Sequence, residues 1–135
     1  MLDGLPTTKV VVTIPARPEV VHILRSVAAN VATRSDLTID AIDDLRIAVD
    51  EAGAQLISAA PDAATLTMIA DAEGSDVEIQ LFTSGDVETW PPEGLERSLA
   101  WQVLNGLADE VSFGRTPQGP TVVIRKRGIS RAVAR

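Results

Sequence analysis

Residues Ile39 to Ala59, IDAIDDLRIAVDEAGAQLISA, constrain the fold more than any other stretch of the chain. Ile42, Leu45, Val49, Ala52 and Leu56 recur at spacings of three and four, which lays an apolar stripe along one face of a single long helix. Asp40, Asp43 and Asp44 crowd its first turns, where negative charge suits the positive end of the helix dipole. Arg46 and Asp50 stand four apart and are placed to pair on the exposed side. Glu51 and Gln55 share a face rotated away from those charges. A carboxylate one turn before an amide supports two chemistries. Glu51 can take a proton from a water or hydroxyl, and the Gln55 side-chain oxygen can hold a metal or a polar ligand. The same pair also suits the surface of an ordinary amphipathic helix, and spacing alone does not choose between these readings.

Around this helix the chain alternates between strand and helix patterns. Lys9 to Ile14 (KVVVTI) is rich in β-branched residues and reads as a strand closed by Pro15 and Pro18. From Glu19 onward, Val20, Ile23, Leu24, Val27, Ala28 and Val31 change the period to that of a helix ending around Thr33 to Asp36. Beyond Pro61, Thr65 to Ala70 and Val77 to Phe82 read as strands joined across DAEGSD, a hairpin connection. Thr83 to Gly94 contains Gly85, Pro91, Pro92 and Gly94 and reads as irregular. Leu95, Leu99, Val103, Leu104 and Leu107 predict a third helix from Leu95 to Leu107. Two strands close the pattern, Glu110 to Phe113 and Thr121 to Lys126, around a loop with Pro117, Gly119 and Pro120. The order β-α-α-β-β-α-β-β predicts an α+β fold. It is a two-layer sandwich in which a mixed, largely antiparallel sheet carries the helices on one face. One domain over residues 1–135 is expected, a common domain size.

The net charge of −7 argues against direct nucleic-acid binding, which needs a basic surface to neutralise phosphates. Arg125, Lys126, Arg127, Arg131 and Arg135 form a basic cluster at the end that reads as a solvated terminus. No apolar run approaches the length that crosses a bilayer, and cysteine is absent, so the expectation is a cytoplasmic protein without membrane contact, disulfides or thiolate metal sites. His22, the one histidine, reads as a surface or interface residue. Trp101 lies among apolar positions of the third helix and reads as core. Trp90, in the Pro-rich loop, suits either an exposed partner contact or a cap on the sheet edge.

The segment Asp40-Ala41-Ile42-Asp43-Asp44-Leu45-Arg46-Ile47-Ala48-Val49-Asp50-Glu51-Ala52 resembles the N-box helix, D-L-K-x-A-V-S-E-A-x-x-N, of RsbW-type anti-sigma factors. Pro18-Glu19-Val20-Val21-His22-Ile23-Leu24-Arg25 is similar to that family's P-E-Y-V-x-x-I-R first helix. Leu104 to Val111 is similar to its L-x-x-L-x-D-E-V segment, and Gly119 to Lys126 to its closing G-T-x-V-x-L-x-K strand. The resemblance implies the histidine-kinase-like (GHKL) ATPase fold, with Glu51 as the catalytic base and Gln55 at the position of the Mg²⁺-binding Asn. Thr83, Gly85 and Thr121 fall on its nucleotide side. The resemblance also implies a homodimer that binds an RNA polymerase sigma factor through the first helix, with Arg25 and His22 on the partner side. An anti-anti-sigma (STAS) protein then competes for release. In the family the same domain is a serine-protein kinase that phosphorylates its STAS antagonist with Mg-ATP.

Departures from the pattern fall on the nucleotide side. Gln55 is one methylene longer than Asn, which displaces its oxygen by about 1.5 Å, and Mg²⁺ demands close octahedral geometry. The D-x-G-x-G box is represented by Thr83-Ser84-Gly85-Asp86-Val87, where only the middle Gly remains and Thr83 replaces the Asp that reads adenine. Arg97-Ser98-Leu99-Ala100-Trp101 stands where glycines let backbone N–H groups approach phosphates. The pattern is similar to the UsfX-like branch of the family. The expectation is therefore a stress-type anti-sigma factor with a degenerate ATP site and weak or lost kinase activity. The alternative is an active kinase of the STAS antagonist.

Overall fold

The computed structural model describes residues 9–129. Its longest element, α2, occupies Ile39–Ala59, the bounds that the apolar period predicts. At its start the Thr38 hydroxyl accepts a hydrogen bond from the Ala41 N–H at 3.0 Å, satisfying one of the donors that a helix leaves open there. Leu45, Ala48, Val49, Ala52 and Leu56 are fully buried along its inner face, with Ile42 half-buried at the end of the stripe.

Helix α1 (Val21–Ala32) follows a tighter helical turn at Pro18–Val20. Strand β1 (Lys9–Pro15) precedes it, while β2 (Thr65–Glu73) and β3 (Asp76–Thr83) form the hairpin. Both hairpin strands run further than their apolar alternation suggests, so the connection shrinks to Gly74-Ser75. Gly74 there takes φ 63°, a left-handed conformation that costs glycine nothing. After the irregular segment comes a tight turn at Leu95–Arg97, then α3 (Leu99–Leu107), β4 (Glu110–Thr116) and β5 (Gly119–Lys126). The loop read between the last two strands is mostly strand, and Pro120 pairs in register with Arg115.

The sheet order is β1-β2-β3-β5-β4, and every described neighbour pair is antiparallel, so the expected mixed sheet is antiparallel throughout. Strand β5 enters between β3 and β4, leaving β1 and β4 as edges. The helices cover one face, with α2 packed between α1 and α3. Leu66, Met68, Ile79, Leu81 and Ile124 meet Leu24, Val31, Leu45 and Leu56 in a fully buried core. The opposite face carries polar pairs, among them Thr13–Thr67 (2.9 Å) and Arg125–Glu78 (2.8 Å).

Two expectations about charge need correction. Arg46 pairs with Asp43 at 3.7 Å and not with Asp50, whose carboxylate turns to α1. The first residues of the basic cluster are not a solvated tail. Arg125 is held by Glu78. Lys126 reaches the Leu107 carbonyl (2.6 Å) and Asp44 (3.4 Å), and Arg127 pairs with Glu110. Arg131 and Arg135 lie outside the described residues. No described helix is long and apolar enough to cross a membrane.

Candidate functional site

The candidate residues separate into three places. Glu51 and Gln55 lie half-buried on the flank of α2 that faces the segment before α3. The Gln55 amide donates to Glu51 Oε2 at 3.4 Å. Gln55 also lines a cavity of about 360 Å³ with Ser58, Ala59, Thr89, Pro92 and Glu93, so the face chosen from spacing does look into a cleft. Among the described residues no three carboxylate, histidine or cysteine side chains converge as a metal site.

Thr83, Gly85 and Thr121 gather at one end of the sheet. Thr121 donates its hydroxyl to the Gly119 carbonyl at 3.2 Å. Thr83 is fully buried, and its hydroxyl has no hydrogen-bond partner. Gly119, at φ 140°, passes so close beneath β3 that a Cβ there would collide with the Thr83 carbonyl oxygen and lie 2.7 Å from that of Gly85. Gly85 itself takes φ 89° and packs under Pro61, at the exit of α2. These glycines therefore serve close backbone approach within the protein.

The segment from Thr83 to Ser98 is tied down. Arg115 on β4 donates to the Trp90 carbonyl (3.1 Å), to Asp86 Oδ1 (2.7 Å) and to the Val87 carbonyl. Trp90, only 4% exposed, stacks on Phe113 at 5.4 Å between ring centroids, and Trp101 meets the same ring edge-on at 5.9 Å. Of the two readings for Trp90, the structure selects the cap on the sheet edge. Its indole N–H is buried without a partner. The third helix does not run unbroken from Leu95. Ser98 interrupts it, accepting from the Trp101 N–H at 3.1 Å and donating to the Leu95 carbonyl at 2.6 Å. The side chain of Ser98 thus fills part of the N-terminal site where free N–H groups could meet an anion.

On the other flank of α2 the structure brings Arg25 and His22 together. They line a groove of about 440 Å³ between α1 and α2, walled by Pro18, Val21, Ala54 and Ile57. Arg25 Nη1 donates to Asp50 Oδ2 at 2.7 Å, and His22 Nδ1 lies 3.1 Å from the Glu19 carbonyl. Asp50 is the residue that sequence reasoning missed at this site. Its signal was present but not local: an acid and a base on the boundary positions of two amphipathic helices that must pack together.

A two-layer sheet-and-helix sandwich with an N-box-like helix over its centre defines a protein class, and comparison with known proteins agrees. The model of the histidine kinase-like ATPase domain family matches residues 14–126. The chain belongs to that family. Within it the chain is of the RsbW anti-sigma type. It is 34% identical over 127 residues to "Anti-sigma-F factor RsbW" of two Mycobacterium tuberculosis strains, across 87% of this chain and 74% of theirs. The fold matches a crystal structure of the RsbU and RsbW domains of a Mycobacterium tuberculosis protein, with a TM-score of 0.64 at 16% identity. That match covers 90% of this chain and 33% of the other, so this chain spans about a third of that crystallised chain. At that identity the likeness concerns the fold alone.

Proposed function

We propose that the chain is an anti-sigma factor that sequesters an alternative, stress-type RNA polymerase sigma factor in the cytoplasm through the α1 side of the molecule. In this reading a STAS anti-anti-sigma protein releases the sigma factor by competition. The ATP site is degenerate, and the molecule works as a homodimer. Identity to a protein named for anti-sigma-F activity supports the class of partner.

One observation carries the preference for sequestration over catalysis. The segment that would have to move over a nucleotide is fastened to the sheet edge by Arg115 and by the burial of Trp90. The donor set agrees. Gln55 is engaged by Glu51, no acidic cluster accompanies them among the described residues, and α3 starts with its own serine cap. These residues do not fit a magnesium–triphosphate group. The orphaned Thr83 hydroxyl is the one element that suits a purine edge. The kinase reading rests on Glu51, whose carboxylate lies on the cleft side of α2. For the homodimer, β1 is an edge strand whose central residues, Val10 to Ile14, carry neither charge nor proline, the devices that usually protect such an edge. Val11 is 61% exposed there.

The test is co-purification of the tagged chain with each purified alternative sigma factor of its own genome. Retention of one of them through gel filtration is expected. Failure to retain any member of the panel would overturn the reading.

A further inference from the structure

We propose that Asp50 is a positioning residue for Arg25. It fixes the guanidinium at the mouth of the α1–α2 groove so that its remaining N–H edge is presented to a carboxylate of the partner protein. This inference rests on the reading of Arg25 as a partner contact and adds the residue that prepares it.

Arg25 needs such a residue because α1 carries no acidic side chain of its own, and Glu19 just before it pairs with Arg17 at 3.3 Å. Asp50 is available because Arg46 turns away to Asp43. The contact uses one end of the guanidinium, Nη1 at 2.7 Å. An arginine presents five N–H donors in a rigid planar fork, so the Nε–Nη2 edge remains for two parallel bonds to a carboxylate. The pair's side chains are 38% and 37% exposed, where solvent screens the attraction and little stability comes from it. The consequence of the pair is conformational. A long, rotamer-rich side chain that is otherwise ordered only on binding is ordered beforehand, against the apolar wall of Val21, Ala54 and Ile57.

Two readouts test this. In the free protein, ¹⁵N relaxation of the Arg25 Nε–H should report an ordered group in the parent and a mobile one in Asp50→Ala, with the melting temperature nearly unchanged. Titration of the sigma factor retained in the panel should show Asp50→Ala binding about fivefold more weakly, the loss expected when one side chain must be ordered on association. In an Arg25→Ala background, Asp50→Ala should change affinity no further. Equal order of Arg25 in both proteins overturns the inference, as does affinity that is unchanged or improved. So does a loss that persists without Arg25, since Asp50 would then act through its own contact. A parent protein that binds no sigma factor overturns the underlying reading and this inference with it. A parent that binds, alongside an Asp50→Ala variant that binds equally well, overturns this inference alone.

Discussion

Arg25 Nη1 and Asp50 Oδ2 meet at 2.7 Å across the groove between α1 and α2, joining the first helix to the N-box helix. Both side chains are more than a third exposed, so reversing one charge costs the fold about 1 kcal/mol at most after solvent screening. Arg25→Glu should therefore remain folded while losing sigma binding at least about thirtyfold, the size expected of an arginine anchor at an interface. Circular dichroism and a binding titration on the same sample check both halves. Unchanged affinity removes Arg25 from the interface.

Trp90 holds the segment before α3 by stacking on Phe113, and its indole N–H is already unsatisfied. Trp90→Ala removes a buried ring and should cost about 3 kcal/mol. Trp90→Phe keeps an aromatic face and deletes the orphaned donor, so its cost should be nearer 1 kcal/mol. Urea unfolding of the two variants measures the difference. Equal costs would mean that ring packing does not hold the segment.

Thr83 offers the reverse case. Its hydroxyl is buried without a partner, so replacing it by a methyl group should recover part of a desolvation penalty. Thr83→Val should raise stability by about 1 kcal/mol, read as a higher urea midpoint at constant slope. A clear loss of stability would show that the hydroxyl is bonded in solution.

Glu51 does not line the Arg25 groove and is held only by Gln55 among the described residues. Glu51→Gln preserves the shape of the side chain and should leave sigma affinity within twofold of the parent, about 0.4 kcal/mol. A collapse of binding would make this flank an interface and would contradict the assignment of partner contacts to α1.

The parts of this fold that were legible in the sequence are those set by local pattern. Helix α2 keeps its predicted bounds because its apolar period is unbroken, Thr38 caps its start and Pro61 follows its end. Periodicity puts the start of the third helix too early because Leu95 and Leu99 continue the period of Val103 and Leu107, while Ser98 between them caps the start of α3. Periodicity does not register a cap. The ion pairs were legible least. Arg46 and Asp50 have the right spacing on one helix, but Asp50 lies on the flank against α1, where Arg25 offers a shorter contact. For Trp90, its place in a Pro-rich loop suits a partner contact and a cap on the sheet edge equally. Phe113 and Arg115, some twenty-five residues further on, decide it. For the ion pair and for Trp90 the missing information is which elements become neighbours, α2 beside α1 and β4 beside the segment before α3.

The central claim is that this molecule acts by holding a partner and not by nucleotide chemistry. The most direct measurement is calorimetric titration of the retained sigma factor into the protein, with and without a non-hydrolysable ATP analogue and Mg²⁺ at millimolar concentration. The account predicts the same affinity in both titrations and no heat from the nucleotide alone. Micromolar nucleotide binding, or a sigma complex that forms only with Mg-nucleotide present, would contradict it.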